Sequence, residues 1–236
     1  MKVLHDSLLP ENLSSMELFT GLPREALAEV AGCARLRRLA KDTIVFAQGA
    51  RAGHCHALAE GRVRITQSDE NGAQLVVRFI GRGEMFGTVA LFTDGRYPAE
   101  AKTVTDSIEV RWTEPVLLDL IRRHPQIALN IITVLGGRVR DVQERLREVA
   151  TQRVECRIAN VLLRLADRAG HPAGDGTTIG FPLTRRDLAE MCGSTLHTVS
   201  RILTAWEKAA LIATKRQRIT IRRRDAIRRI AEDPTA

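Results

Sequence analysis

The sequence predicts an α+β chain: an N-terminal β-roll of short strands, one long amphipathic helix, and a C-terminal winged helix-turn-helix. Three observations predict it. Glycine-punctuated alternating runs fill the stretch from Leu36 to Trp112, apolar residues recur in a heptad up to Val149, and two short helical patterns meet at Gly193. At 236 residues and 44% apolar content, the chain has room for two globular cores. The expected organisation is a helix and β-roll over 1–113, a short helix and a long dimerisation helix over 114–151, and the winged helix-turn-helix over 152–236.

In chain order, Pro23 to Ala34 predicts a short helix with proline in its first turn and Leu27, Val30 and Ala31 on one apolar face. The roll follows. Runs such as Val63-Arg64-Ile65 and Leu75 to Ile80 alternate at the period of a strand, with glycines at 49, 53, 61, 72, 81, 83, 87 and 95 between them. Asn71-Gly72 between two such runs is a hairpin signal. Pro115 to Arg123 predicts a short helix, and Pro125 fits the first turn of a long one reaching about Thr151. Along it Ala128, Ile131, Leu135, Val139, Val142, Leu146 and Val149 alternate in steps of three and four, with Arg138, Arg140, Asp141, Glu144, Arg145, Arg147 and Glu148 on the flanks. Three heptads of this kind predict pairing with a second copy of the chain, and Ile131, Leu135, Val139, Val142, Leu146 and Val149 form the expected seam.

The segment from Leu183 to Leu211 carries the chemistry. Thr184 can cap a helix whose first turn holds Asp187, an anion placed at the positive end of the helix dipole. Leu188, Met191 and Cys192 share one face, and Gly193 suits the left-handed residue that ends the helix. Ser194 or Thr195 can cap the next helix, where Leu196, Val199, Leu203 and Trp206 fall at helical spacing. Two short helices around a glycine turn match the motif whose second helix enters the major groove of DNA. His197, Ser200 and Arg201 would then face base edges. The charge supports this: residues 1–150 hold 20 Lys and Arg against 19 Asp and Glu, whereas 151–236 hold 16 against 9. A basic C-terminal third beside a neutral remainder is the electrostatic footprint of a nucleic-acid-binding domain. Arg185, Arg186, Ser194, Thr195, Thr198, Lys215, Arg216 and Arg218 are the expected phosphate contacts, which supply affinity without sequence information.

Other classes are disfavoured. No apolar run approaches a membrane span and no signal-peptide pattern opens the chain, so a cytoplasmic protein is expected. Nothing pairs a nucleophile with a base, and there is no glycine-rich nucleotide-transfer loop, so no enzymatic activity is expected. The cysteines at 33, 55, 156 and 192 lack the spacing of a zinc or iron–sulfur site. His54-Cys55-His56 admits two readings: residues 54 and 56 share a strand face and could ligate a metal or haem, or they are plain surface residues.

The order of roll, long helix and helix-turn-helix resembles the CRP/FNR family of bacterial transcription regulators over nearly the whole chain. Gly61-Arg62-Val63 is similar to the family's G-x-V turn, and Gly83-Glu84-Met85-Phe86-Gly87 to its loop over the ligand pocket. His197-Thr198-Val199-Ser200-Arg201 resembles the recognition helix, which commonly reads E-T-V-S-R in the FNR group. The resemblance implies a homodimer with a cyclic-nucleotide-binding-type roll that senses a small-molecule or gas signal. It further implies promoter DNA with a two-fold TTG-type site, and RNA polymerase, as partners. It places the effector pocket at Gly87, Thr88, Arg96 and Tyr97. Cyclic-nucleotide-binding members carry a Glu after the pocket glycine and a Ser or Thr after the phosphate-binding arginine; here Thr88 and Tyr97 stand there, which disfavours cyclic AMP. The pocket segment and the T-L-H-T-V-S-R window most resemble the nitric-oxide-responsive regulators of nitrite and nitric oxide reductase genes. The alternatives are a cyclic-nucleotide-responsive regulator and a haem-binding redox or gas sensor.

Overall fold

The structure is a computed structural model and describes residues 10–232. These divide into two compact units, one of residues 10–140 apart from 74–76, the other of 74–76 and 141–232. The expected middle segment 114–151 is thus shared between them.

In the first unit, to which β5 belongs from residue 77 on, α1 (Pro10–Ser14) and α2 (Arg24–Gly32) precede β1 (Arg35–Leu39), β2 (Ile44–Phe46), β3 (His54–Glu60), β4 (Val63–Ser68), β5 (Gln74–Ile80), β6 (Met85–Phe86), β7 (Glu100–Thr103) and β8 (Ser107–Thr113). They form two four-stranded sheets, ordered β1-β8-β3-β6 and β2-β7-β4-β5. Leu58, Val63, Ile80, Phe86 and Ala101 make one buried cluster of the roll. The second cluster joins α1 and α2 to the roll through Trp112, which stacks edge-on to Phe19 at 5.0 Å and donates from Nε1 to the Val30 carbonyl at 2.9 Å. At Gly61 the backbone has φ 94° and an added Cβ would lie 2.2 Å from Ser107 Oγ, so only glycine fits the G-x-V turn. The Asn71-Gly72 turn is longer than a two-residue hairpin. Asp69 Oδ1 accepts from the N–H groups of Asn71 and Ala73, and the Asp69 N–H donates to the Ala73 carbonyl at 3.0 Å, so that side chain and backbone together close a wider loop.

Helix α3 (Glu114–Arg123) leads into α4 (Gln126–Thr151). Ile127 and Ile131 of α4 are buried in the cluster around Trp112 and Leu135 packs partly against it. Ile131 therefore belongs to its own unit's core and not to a seam. A straight helix drifts by about 20° per heptad relative to a 3.5-residue repeat, so one face cannot stay outward along all three. The exposed apolar residues of α4 are Leu129, Ile132, Val139, Val142, Leu146 and Val149.

In the second unit, α5 (Val154–Ala169), β9 (Gly170–Ala173), β10 (Gly176–Ile179), α6 (Arg185–Cys192), α7 (Leu196–Lys208), β11 (Ile212–Lys215), β12 (Arg218–Ile221) and α8 (Arg224–Glu232) follow, with a sheet ordered β11-β12-β10-β9. The end of α4 is fastened to α5. Arg164 pairs with the buried Glu148, and Arg168 with Asp141 at 2.8 Å. Arg157 donates to the carbonyls of Gln152 (3.0 Å) and Val149 (3.4 Å), groups that the helix end leaves unsatisfied. No helix among the described residues is long and apolar enough to cross a membrane.

Candidate nucleic-acid interface and effector cavity

Helix α6 begins with the expected cap, enlarged to a capping box: Thr184 and Asp187 each bond the other's backbone N–H. It ends at Gly193, whose φ of 59° and ψ of 50° are left-handed, and whose carbonyl accepts from Arg157 at 3.5 Å. Of the two candidate caps for α7, Thr195 is the one used; its Oγ1 accepts from the Thr198 N–H at 3.2 Å. Val199, Leu203 and Trp206 are buried, and Trp206 Nε1 donates to Glu155 at 2.8 Å. Leu196 leaves the expected stripe and is 51% exposed, because the first turn of α7 projects past the core. That same projection exposes His197 and Arg201, with Ser200 half-buried beside them. Neither Arg201 nor His197 has a hydrogen-bond or ion-pair partner among the described residues.

The expected phosphate contacts divide into two groups. Lys215, Arg216 and Arg218 are exposed at the tip of the β11–β12 hairpin, where Lys215 pairs with Arg218. The turn residues Arg216 (φ 49°) and Gln217 (φ 62°) both lie in the left-handed region, at a cost of order 1 kcal/mol each. Arg185 is a correction. Its guanidinium reaches across to α7, bonding Ser200 O (3.4 Å), Thr204 Oγ1 (3.3 Å) and Glu207 (3.2 Å), and so holds the two helices together instead of standing free for a phosphate. Arg186 is exposed but pairs with Glu190 one turn on, at 3.0 Å. Thr195 and Thr198 share a hydroxyl contact at 3.0 Å, with Ser194 half-buried beside them.

In the first unit a cavity of about 210 Å³ opens between the roll and α4. Phe46, Ile65, Val77, Ile80, Phe86 and Val89 are among its apolar wall residues, and Gln67, Arg78, Tyr97 and Arg138 bring polar groups to it. Two of the four expected pocket residues line it. Gly87 has φ 73°, and a Cβ there would press to 2.8 Å from His56 and 3.1 Å from Tyr97. Tyr97 stacks on Phe46 at 3.8 Å. The other two do not. Thr88 is buried, 3.5 Å from Cys55 Sγ, and exposed Arg96 donates to the Gly49 carbonyl at 2.9 Å. Arg78 and Arg138 were unmarked by sequence, since the cavity-facing side of a helix depends on its rotation against the roll.

The histidine cluster is not a surface feature. His56 is buried: one ring nitrogen bonds Glu109, and Nε2 lies 3.0 Å from the Tyr97 hydroxyl, which also donates to His54 O at 3.1 Å. Glu109 is fully buried and also pairs with Arg37 at 2.6 Å. Burial pushes its carboxyl up, but the bonds and charges of His56 and Arg37 outweigh that and hold it below the usual range. Burial, and then the charge of Arg111, lowers His54. Cys55 is buried among apolar groups, which pushes its thiol up to about 12, and Cys192 is raised to about 12 by the same cause. Haem or metal ligation by His56 or Cys55 does not fit here. Both ring nitrogens of His56 are committed, Cys55 is held protonated, and among the described residues no three His, Cys, Asp or Glu side chains converge on a metal position.

Comparison with known proteins places this geometry. The family described as Crp-like helix-turn-helix domain matches residues 156–230, and the Cyclic nucleotide-binding domain family matches 36–124. The chain is similar to the CRP-like cAMP-activated global transcriptional regulator of Mycobacterium tuberculosis, 26% identical over 195 residues that cover 83% of this chain and 87% of the relative. Among solved structures it is similar to FixK2 from Bradyrhizobium japonicum, with a TM-score of 0.73, 21% identity, and coverage of 84% of this chain and 96% of that one. It is also similar to the c-di-GMP-responsive global regulator CLP of Xanthomonas campestris, with a TM-score of 0.74, 22% identity, and coverage of 84% and 99%. At these identities the two structures speak for the fold.

Proposed function

We propose that this chain, a CRP/FNR-type DNA-binding transcription regulator, reads a two-fold promoter site with α7 of each protomer and is tuned by a small molecule in the cavity beside α4. The observation that carries the reading is the first two turns of α7. There Arg201 and His197 stand exposed and without partners, on a helix whose base is fixed by Thr195 and by buried Val199 and Leu203. Arg201 offers the planar fork that suits guanine O6 and N7, with Ser200 beside the neighbouring base. Lys215, Arg216 and Arg218 extend the positive surface to the DNA backbone, an activator's promoter site being the expected target.

Pairing through the exposed apolar face of α4 would set the two recognition helices on half-sites about one helical turn apart. RNA polymerase is the partner such an activator recruits. The signal is proposed to be a small molecule whose body the largely apolar wall of the cavity can cover. A cyclic nucleotide needs an anion site that Thr88 and Arg96 do not offer. Nitric oxide as the signal is supported by the sequence windows around 86–99 and 195–201; His56 and Cys55 add no haem ligand to that support.

Selection of bound sites from random DNA tests the reading. A symmetric site with TTG-type half-sites is expected for the wild type, and loss of preference at one base pair of each half-site for Arg201→Ala. Unsymmetric sites, or identical preferences for the two proteins, would overturn it.

A further inference from the structure

The cavity is chemically one-sided. Its wall is hydrocarbon and aromatic, yet one end carries two guanidinium groups, Arg78 from β5 and Arg138 from α4. Both donate to one acceptor, the Met85 carbonyl, Arg138 at 2.6 Å and Arg78 at 3.3 Å. A neutral carbonyl cannot balance two cations. Arg78 has Glu84 as a counter-ion at 3.6 Å, but no ion pair holds Arg138 among the described residues. Its Nε is buried with no hydrogen-bond partner. Burial, and then the charge of Arg78, lowers the Arg138 guanidinium to about 10, with Glu17 and Glu84 offsetting part of the effect. It remains charged at neutral pH. A desolvated cation with an unmet donor is costly unless a ligand completes it.

We infer that the cavity takes an amphipathic organic carboxylate, a short alkyl or phenylalkyl chain whose anionic end seats on Arg138. Resting on the reading of this cavity as the effector site, the inference names the ligand's chemistry. The chain would lie against Phe46, Ile65, Ile80 and Phe86, gaining the transfer energy of its methylenes. The carboxylate would accept from the planar guanidinium in the geometry that arginine recognises. A cyclic nucleotide fits poorly, since its ribose hydroxyl and purine nitrogens would face this apolar wall unpaired. Because Arg138 lies on α4, the bound anion would fix the rotation of that helix against the roll. The exposed seam residue Val139 is its immediate neighbour.

Calorimetric titration of the full chain provides the test, using octanoate and 4-phenylbutyrate, their primary amides, and cyclic AMP. The acids should bind at least about tenfold more tightly than the amides, since only the acids place a charge on the guanidinium. Arg138→Gln should reduce acid affinity to the level of the amides and leave the amides unchanged. The acid–amide comparison uses wild-type protein, so it stands even where the variant unfolds. Equal binding of acid and amide, tighter binding of cyclic AMP, or no acid binding at about 1 mM would overturn the inference. The same acids are then added to the protein on its selected DNA site. If acids bind through Arg138 without altering DNA affinity, the ligand class holds and the effector reading falls. If cyclic AMP alone binds and alters DNA affinity, the effector reading holds and the ligand class falls.

Discussion

Val142→Glu tests the proposed dimer separately from the fold of the protomer. Val142 is 59% exposed, so a glutamate there costs the single chain little. Its neighbours on the same face, Ile132, Val139, Leu146 and Val149, are between 52 and 69% exposed. Full burial of such a side chain gains about 1.5–3 kcal/mol, so covering the half still exposed gains roughly 1 kcal/mol each. Five residues from each of two protomers thus contribute roughly 10 kcal/mol. Association itself costs an estimated 4–15 kcal/mol, so the surplus from these residues is small. Two carboxylates facing each other across the two-fold axis, poorly solvated, cost about 3 kcal/mol or more. At 1.4 kcal/mol per decade, the dissociation constant should rise by at least about a hundredfold. Sedimentation analysis of the variant at micromolar concentration should show monomers with an unchanged circular dichroism spectrum. Affinity for the full operator should collapse as the second half-site loses its tether, while half-site preference persists. A dimer of wild-type stability that still binds the operator would refute α4 as the seam.

Four further outcomes are expected. His197→Glu should move the selected inner half-site toward the TTGAT pattern of FNR-type proteins, because a carboxylate accepts from cytosine N4 where imidazole can also donate; identical selected motifs would argue against base contact by residue 197. Neutralising Arg216 or Arg218 should weaken all DNA sequences alike and lower the slope of log affinity against log salt by about one unit, as measured by fluorescence anisotropy. Arg185→Ala should instead lower the unfolding temperature by loosening α6 from α7, and a salt-slope change without loss of stability would return it to the phosphate set. Glu109 has a folded pKa below its unfolded one, so its contribution is present above the ordinary carboxylate pKa of about 4 and is lost as pH falls through the lower folded value. In urea titrations Glu109→Gln should cost roughly 1–3 kcal/mol at pH 7 and flatten that acid dependence; a wild-type acid profile in the variant would show that Glu109 is not its source.

Much of this protein was legible without coordinates, wherever short-range chemistry decides. Thr184, Asp187 and Gly193 carry their capping roles in their side chains or in glycine's lack of one, and the observed capping box and left-handed turn need only neighbours within a few residues. The Gly61 turn, the long helix and the basic C-terminal third belong to the same class, and the ordered set pointed to the two domain families whose models match residues 36–124 and 156–230. Tertiary structure decided what depends on rotation and on partners distant in sequence. A heptad marks a helix's apolar stripe but not where that stripe leaves its own core, so Ile131 turned inward while Leu129 and Ile132 faced out. Arg185 reads as a DNA cation until Glu207, 22 residues on, is seen to take it. His56 reads as a surface or ligating residue until Glu109 and Tyr97 are found on either side of its ring. Arg138 reads as one more flanking charge until the roll folds an apolar cavity against it. Charge and periodicity are properties of the chain, whereas desolvation and pairing are properties of the packed molecule, and the latter select which of its many arginines remain free to bind.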